Sequence, residues 1–149
     1  MTKDVALLVL RLAGVGLALA HGGGKIAALV SGDAAGFIEG VARLGFPLPG
    51  VFAWAAALAE FAGGLLVGFG LFTRAAASFS AFTMLVAGFI RHKFHLHLLV
   101  SLGLYQASEE TIEGWRDPEK ALLYVLIFVA LILMGAGRFS LDRIVRKKS

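Results

Sequence analysis

Glu60, Arg11, His21 and Lys25 are the residues whose types and placing could do chemistry in this chain. Glu60 stands alone in an uncharged run from Leu44 to Thr73. A charged side chain in hydrocarbon costs at least ~2.5–3.5 kcal/mol, so such a group is normally paired, protonated or functional. The partners on offer are a guanidinium, an imidazole and an ammonium. On a continuous helix Arg11, Gly14, Ala18, His21, Gly22 and Lys25 share one face, which should point into a bundle and away from lipid. Ala56, Glu60, Gly64 and Gly68 repeat at four-residue intervals beside Gly63, a small-residue packing face with a carboxylate set in it.

Counted from the helix ends at ~1.5 Å per residue, Glu60 lies roughly 16 Å deep, Arg11 roughly 9 Å and His21 roughly 24 Å. Either basic side chain could close that gap, and a bidentate Arg11–Glu60 pair is the stronger arrangement where water is scarce. One reading is a buried pair that fixes helix register. The other is a site for ligand binding or proton relay built from Arg11, His21, Lys25 and Glu60.

Three further features of the chain bear on its chemistry. His92, His95 and His97 fall on no common face, and Arg91 and Lys93 would repel a cation, so no metal site is expected. Gly22-Gly23-Gly24 lacks the strand context and the Lys-Ser or Lys-Thr ending of a phosphate loop, so no nucleotide is expected. Its role is to let the helix bend or a neighbouring backbone come close. Cysteine is absent, which excludes thiolate metal sites and an iron–sulfur cluster held by this chain.

The elements that must position these residues are membrane helices. The 149 residues are 58% hydrophobic and 16% charged, and mean hydropathy is +0.83. A soluble domain of this size could not hide so much apolar surface. Arg11 and Asp4 argue against a cleaved leader ending at Ala18-Leu19-Ala20, so the first stretch is expected to stay as a helix. The fold class expected is an all-α membrane protein, a single four-transmembrane-helix bundle over 1–149. Its spans fall at about 5–29, 51–71, 75–90 and 121–136, with a basic tail over 138–149. Short interfacial helices should occupy the outer loops. One is Asp33–Leu44, with Phe37, Ile38, Val41 and Leu44 at helical spacing; the apolar Phe94–Ala107 stretch is another interfacial or re-entrant segment.

An even number of spans puts both termini on one side. Lys3, Arg11, Arg74, Arg138, Arg143, Arg146, Lys147 and Lys148 then face Lys25, Arg43, Arg91, Lys93, Arg116 and Lys120, eight against six. That bias, with the clustered tail, predicts cytoplasmic termini and a tail that anchors topology. No groove-reading element accompanies the tail charges, so nucleic acid is not an expected partner.

Several landmarks in order resemble the DoxX family of small four-helix membrane proteins. They are His21-Gly22 with Lys25, Gly45-Phe46-Pro47, Glu60 with Gly63-Gly64, and Gly70-Leu71-Phe72-Thr73-Arg74. Glu119 at the start of span four follows, then Gly135-Ala136-Gly137-Arg138-Phe139-Ser140-Leu141-Asp142. The resemblance covers about residues 11–142. It implies a multi-pass bundle in a prokaryotic cytoplasmic (inner) membrane. It also implies a link to membrane redox systems, either as a subunit like those of thiosulfate:quinone oxidoreductase or as the membrane partner of a soluble sulfur-transfer or superoxide-removing enzyme. The segment Arg91–Ala107 is longer than the family's usual loop.

Two functions are therefore expected in competition. In the first, the bundle holds a quinone or similar small molecule beside Arg11, His21 and Glu60, and any catalysis is that of an oxidoreductase subunit. In the second, the chain is a non-enzymatic adaptor for a soluble enzyme, docking through the tail and the Arg74 turn. A small transporter would need a homo-oligomer. Arg138 and Asp142, four apart at the end of span four, together with Arg74, read as a salt-bridge clasp or a docking surface.

Overall fold

Glycine and proline bound the apolar stretches, and each stretch folds as a helix. The computed structural model describes residues 1–115 and 117–146; Arg116, Lys147 and Lys148, which entered the charge balance, lie outside the described residues. Helix α1 runs over Thr2–Ser31 and stops at Gly32, whose φ of 80° turns the chain out of the helix. Helix α2 is Ala35–Arg43. Helix α3, Pro49–Phe69, starts on proline, whose missing N–H is one of the unpaired donors of a first turn in any case. Helix α4 is Thr73–Arg91. The short α5 (Phe94–Ser101) and α6 (Glu109–Trp115) follow, then α7 (Glu119–Met134) and α8 (Leu141–Arg146).

Helices α1, α3 and α4 are each long and apolar enough to cross a bilayer. Helix α7 has 16 residues, just under the ~17 of the shortest spans. It packs along α4 and also touches α1, while α3 lies between α1 and α4, so the four form one bundle. Leu7, Leu17, Val67, Ala77, Phe128 and Leu131 are buried at its centre. Phe79, Phe82, Leu126 and Leu133 point outward and are well exposed, as lipid-facing side chains would be.

Small residues set the helix spacing. A Cβ on Gly14 would stand 2.6 Å from the Gly64 carbonyl oxygen, and one on Gly22 would stand 2.5 Å from the Phe61 nitrogen. The backbones of α1 and α3 are thus in direct contact, as the four-residue repeat in α3 predicts. On the other flank of α3, Ser80 Oγ donates to the Ala59 carbonyl at 2.8 Å, in a space that a side chain on Gly63 would fill.

The two ends of the chain meet at one end of the bundle. Asp4 Oδ1 accepts the Arg138 N–H at 2.9 Å. Asp142 accepts the N–H groups of Phe72 at 2.7 Å and Thr73 at 3.0 Å, and its own N–H donates to the Gly70 carbonyl at 2.8 Å. The carboxylate therefore caps the start of α4 from a distant part of the chain. This corrects the expected clasp in two respects. Arg74 donates to the Leu133 carbonyl at 3.2 Å and does not pair with Asp142. Arg138 and Asp142 do not share a helix, because Gly135 and Gly137 adopt φ of 77° and 78° and end α7 before Arg138. Glu119 opens α7, where its charge favours the helix dipole, and its N–H is taken by Asp117 Oδ1 at 2.8 Å.

Candidate functional site

Glu60 is buried, its side chain 3% exposed, and its partner is Lys25. Lys25 Nζ lies 2.5 Å from Oε1 and 2.6 Å from Oε2, so one ammonium serves both carboxylate oxygens. The same ammonium sits 5.3 Å from the centroid of the Phe37 ring, held between the carboxylate and an aromatic face contributed by α2. Lys25 is 32% exposed, so the pair stands at the wall of an open space rather than deep in packed core.

That space is a cavity of about 520 Å³, within the ~300–1,000 Å³ of small-molecule sites. His21, Lys25, Glu60, Arg91, Lys120 and Tyr124 supply its polar wall, and Phe37, Met84 and Ala87 part of its apolar one. The His21 and Tyr124 rings meet edge to face at 6.2 Å. The cavity thus combines hydrogen-bond donors, the carboxylates of Glu60 and Asp117, and apolar surface.

Two wide turns shape this end of the bundle. The Gly23 N–H reaches back five residues to the Ala18 carbonyl, making a π-turn over Ala18–Gly22 that carries His21. The His92 N–H likewise reaches the Ala87 carbonyl at 2.8 Å, and that second π-turn over Ala87–Arg91 carries Arg91. Such turns insert a residue into the helix and re-aim the side chains around it. No local sequence signal announces them beyond the glycines after His21.

Arg11 lies elsewhere, so the expected grouping of Arg11 with Glu60 is not what the fold makes. Its guanidinium is 1% exposed and donates from Nη2 to the Phe139 carbonyl. Gly70 stands against Nη1, where a Cβ would overlap the guanidinium. The reason is register. Gly14 packs on Gly64 and Gly22 on Phe61, so Glu60 is level with the Gly22 turn while Arg11 is level with Gly70. The helix ends are not level: α1 projects past the end of α3, and the segment Phe139–Asp142 is tucked beside it. Of the four proposed site residues, the structure joins His21, Lys25 and Glu60 and leaves Arg11 apart.

Tyr124, Arg91, Lys120 and Phe37 were missed as cavity residues. A signal existed for two of them: Arg91 and Lys120 fall with Lys25 in the loops assigned to one side. The histidine segment takes other roles. His95 stacks on Phe89 at 6.5 Å and His97 meets Trp115 edge to face at 5.3 Å. Among the described residues no three His, Asp or Glu side chains gather as metal ligands.

The DoxX family matches residues 6–93. The chain is 32% identical over 146 residues to "Inner membrane protein YqjF" of Escherichia coli (strain K12), across 98% of this chain and 96% of that protein. No solved structure matches. The family match takes in Lys25, Glu60 and both π-turns, and the longer alignment extends it over α7 and the C-terminal motif, so the chain is an integral membrane protein of the DoxX family.

Proposed function

We propose that the protein is a small-molecule-binding membrane subunit of a redox system, and that the cavity beside Glu60 takes a quinone. The observation that carries this is the cavity itself: an ion-paired carboxylate, an imidazole and a phenol open onto apolar walls inside a bundle of membrane helices. A quinone ring needs apolar surface for its faces and donors for its two carbonyl oxygens. Met84, Ala87 and Phe37 offer the first; His21, Tyr124 and Lys25 offer the second. Reduction to the quinol takes two electrons and two protons. The protons can pass through His21 and the Lys25–Glu60 pair. The chain has no thiolate for a redox cluster, so the electrons come from a soluble partner enzyme or from a reduced substrate.

In this reading α7 is the fourth span, slightly short and set with little tilt. Both termini then lie at the cytoplasmic face, where the basic tail is favoured. A short-chain quinone should raise the melting temperature of the detergent-solubilised protein, and Glu60→Gln should reduce the rise while the variant still inserts. An unchanged melting temperature in the wild type across the quinone series would remove the reading.

A further inference from the structure

At the end of the bundle remote from Glu60 lies a second hollow, of about 620 Å³. Lys3, Arg74, Arg138 and Arg143 line it, together with Asp4 and Asp142. Both acids are already committed. Asp4 accepts the Arg138 N–H, and Asp142 spans two N–H groups at the start of α4. Among the described residues none of the four cations belongs to an ion pair. Arg74 is held in place by the Leu133 carbonyl. Met134 lines the hollow and is exposed, as are Leu133 beside it in the chain and Phe139, which lies between the lining residues Arg138 and Ser140.

We propose that this hollow binds the phosphate-bearing head group of an anionic phospholipid. Four cations against two carboxylates leave the recess a net charge of +2 (4 − 2), which suits a phosphate anion, and guanidinium groups match its oxygens in pairs. Free phosphate shares that chemistry, but it would leave the apolar rim unused; a lipid lays its acyl chains along Leu133, Met134 and Phe139. The site is separate from the Glu60 cavity and does not depend on what that cavity holds. Basic recesses between helix ends are where acidic head groups gather.

Native mass spectrometry of the full chain in neutral detergent, with phosphatidylglycerol, phosphatidylcholine or inorganic phosphate added, tests this. Wild type should retain phosphatidylglycerol in preference to phosphatidylcholine. Lys3→Gln with Arg143→Gln should weaken that retention about tenfold; among the described residues neither side chain belongs to an ion pair, so folding should be unaffected. Arg74→Gln should weaken it too, and if Arg74→Gln unfolds, the Lys3/Arg143 comparison decides. Equal retention of the two lipids overturns the proposal, as does a preference that survives both variants. Binding of inorganic phosphate with the same cation dependence, and no preference between the lipids, overturns the lipid assignment in favour of a soluble anion.

Discussion

Lys25 Nζ reaches both carboxylate oxygens of Glu60, at 2.5 and 2.6 Å, across 35 positions of sequence. This pair joins the C-terminal part of α1 to the middle of α3 and fixes the wall of the cavity. Glu60 makes no other hydrogen bond among the described residues, so its charge depends on the lysine. Removing one partner of a buried pair costs more than removing both, because the survivor is left desolvated.

Lys25→Met should therefore destabilise the protein by about 3 kcal/mol, toward the low end of buried-pair losses because the lysine is partly exposed. Lys25→Met with Glu60→Gln should recover much of that loss. Unfolding in a mixed-detergent titration measures both, and additive losses would show that the two residues do not act as a pair.

The α1–α3 contact should tolerate no added atoms. Gly14→Ala drives a methyl to 2.6 Å from the Gly64 carbonyl, and overpacking of this kind costs about 1–3 kcal/mol. Gly24→Ala meets nothing within 4 Å and should be neutral or slightly stabilising. The difference in melting temperature between the two alanine variants checks the spacing.

Phe72 sits at φ 47°, a conformation that costs a non-glycine residue ~1–2 kcal/mol. Asp142 holds its N–H and that of Thr73. Asp142→Ala should cost about 0.5–2 kcal/mol, as the loss of a helix cap does. Amide hydrogen exchange should quicken at Phe72 and Thr73 and leave Glu60 and its neighbours unchanged.

Much of this architecture is written in the chain. An uncharged run around one carboxylate predicts a membrane helix with an inward face, and the Ala56-Glu60-Gly64-Gly68 repeat identifies that face. The spacing of Phe37, Ile38 and Val41 predicts α2, which the fold forms over Ala35–Arg43. What the chain does not spell out is register. Lys25, rather than Arg11, meets Glu60 because the relative sliding of α1 and α3 is set by contacts such as Gly14 on Gly64 and Gly22 on Phe61. Each helix read alone carries no mark of that offset. The role of Asp142 is hidden for a similar reason: a carboxylate four residues from an arginine reads as its helical partner, but two glycines at positive φ end the helix before either residue.

Arg11 offers a control that follows from its separation. It supports the Phe139 carbonyl beside Gly70, so Arg11→Lys should lower stability without changing the affinity of the cavity for quinone. Parallel melting and binding measurements on the one variant separate the two effects. Loss of binding at unchanged stability would bring Arg11 back into the site.

Isothermal titration of a short-chain quinone into the protein in lipid nanodiscs tests the central claim most directly, with Glu60→Gln and His21→Ala beside the wild type. Saturable binding at one site, weakened about tenfold in each variant, is the predicted result, since a lost hydrogen bond to a charged group is worth ~1.5 kcal/mol or more. Titration heats no larger than those of empty nanodiscs, or equal affinity in all three proteins, would contradict it.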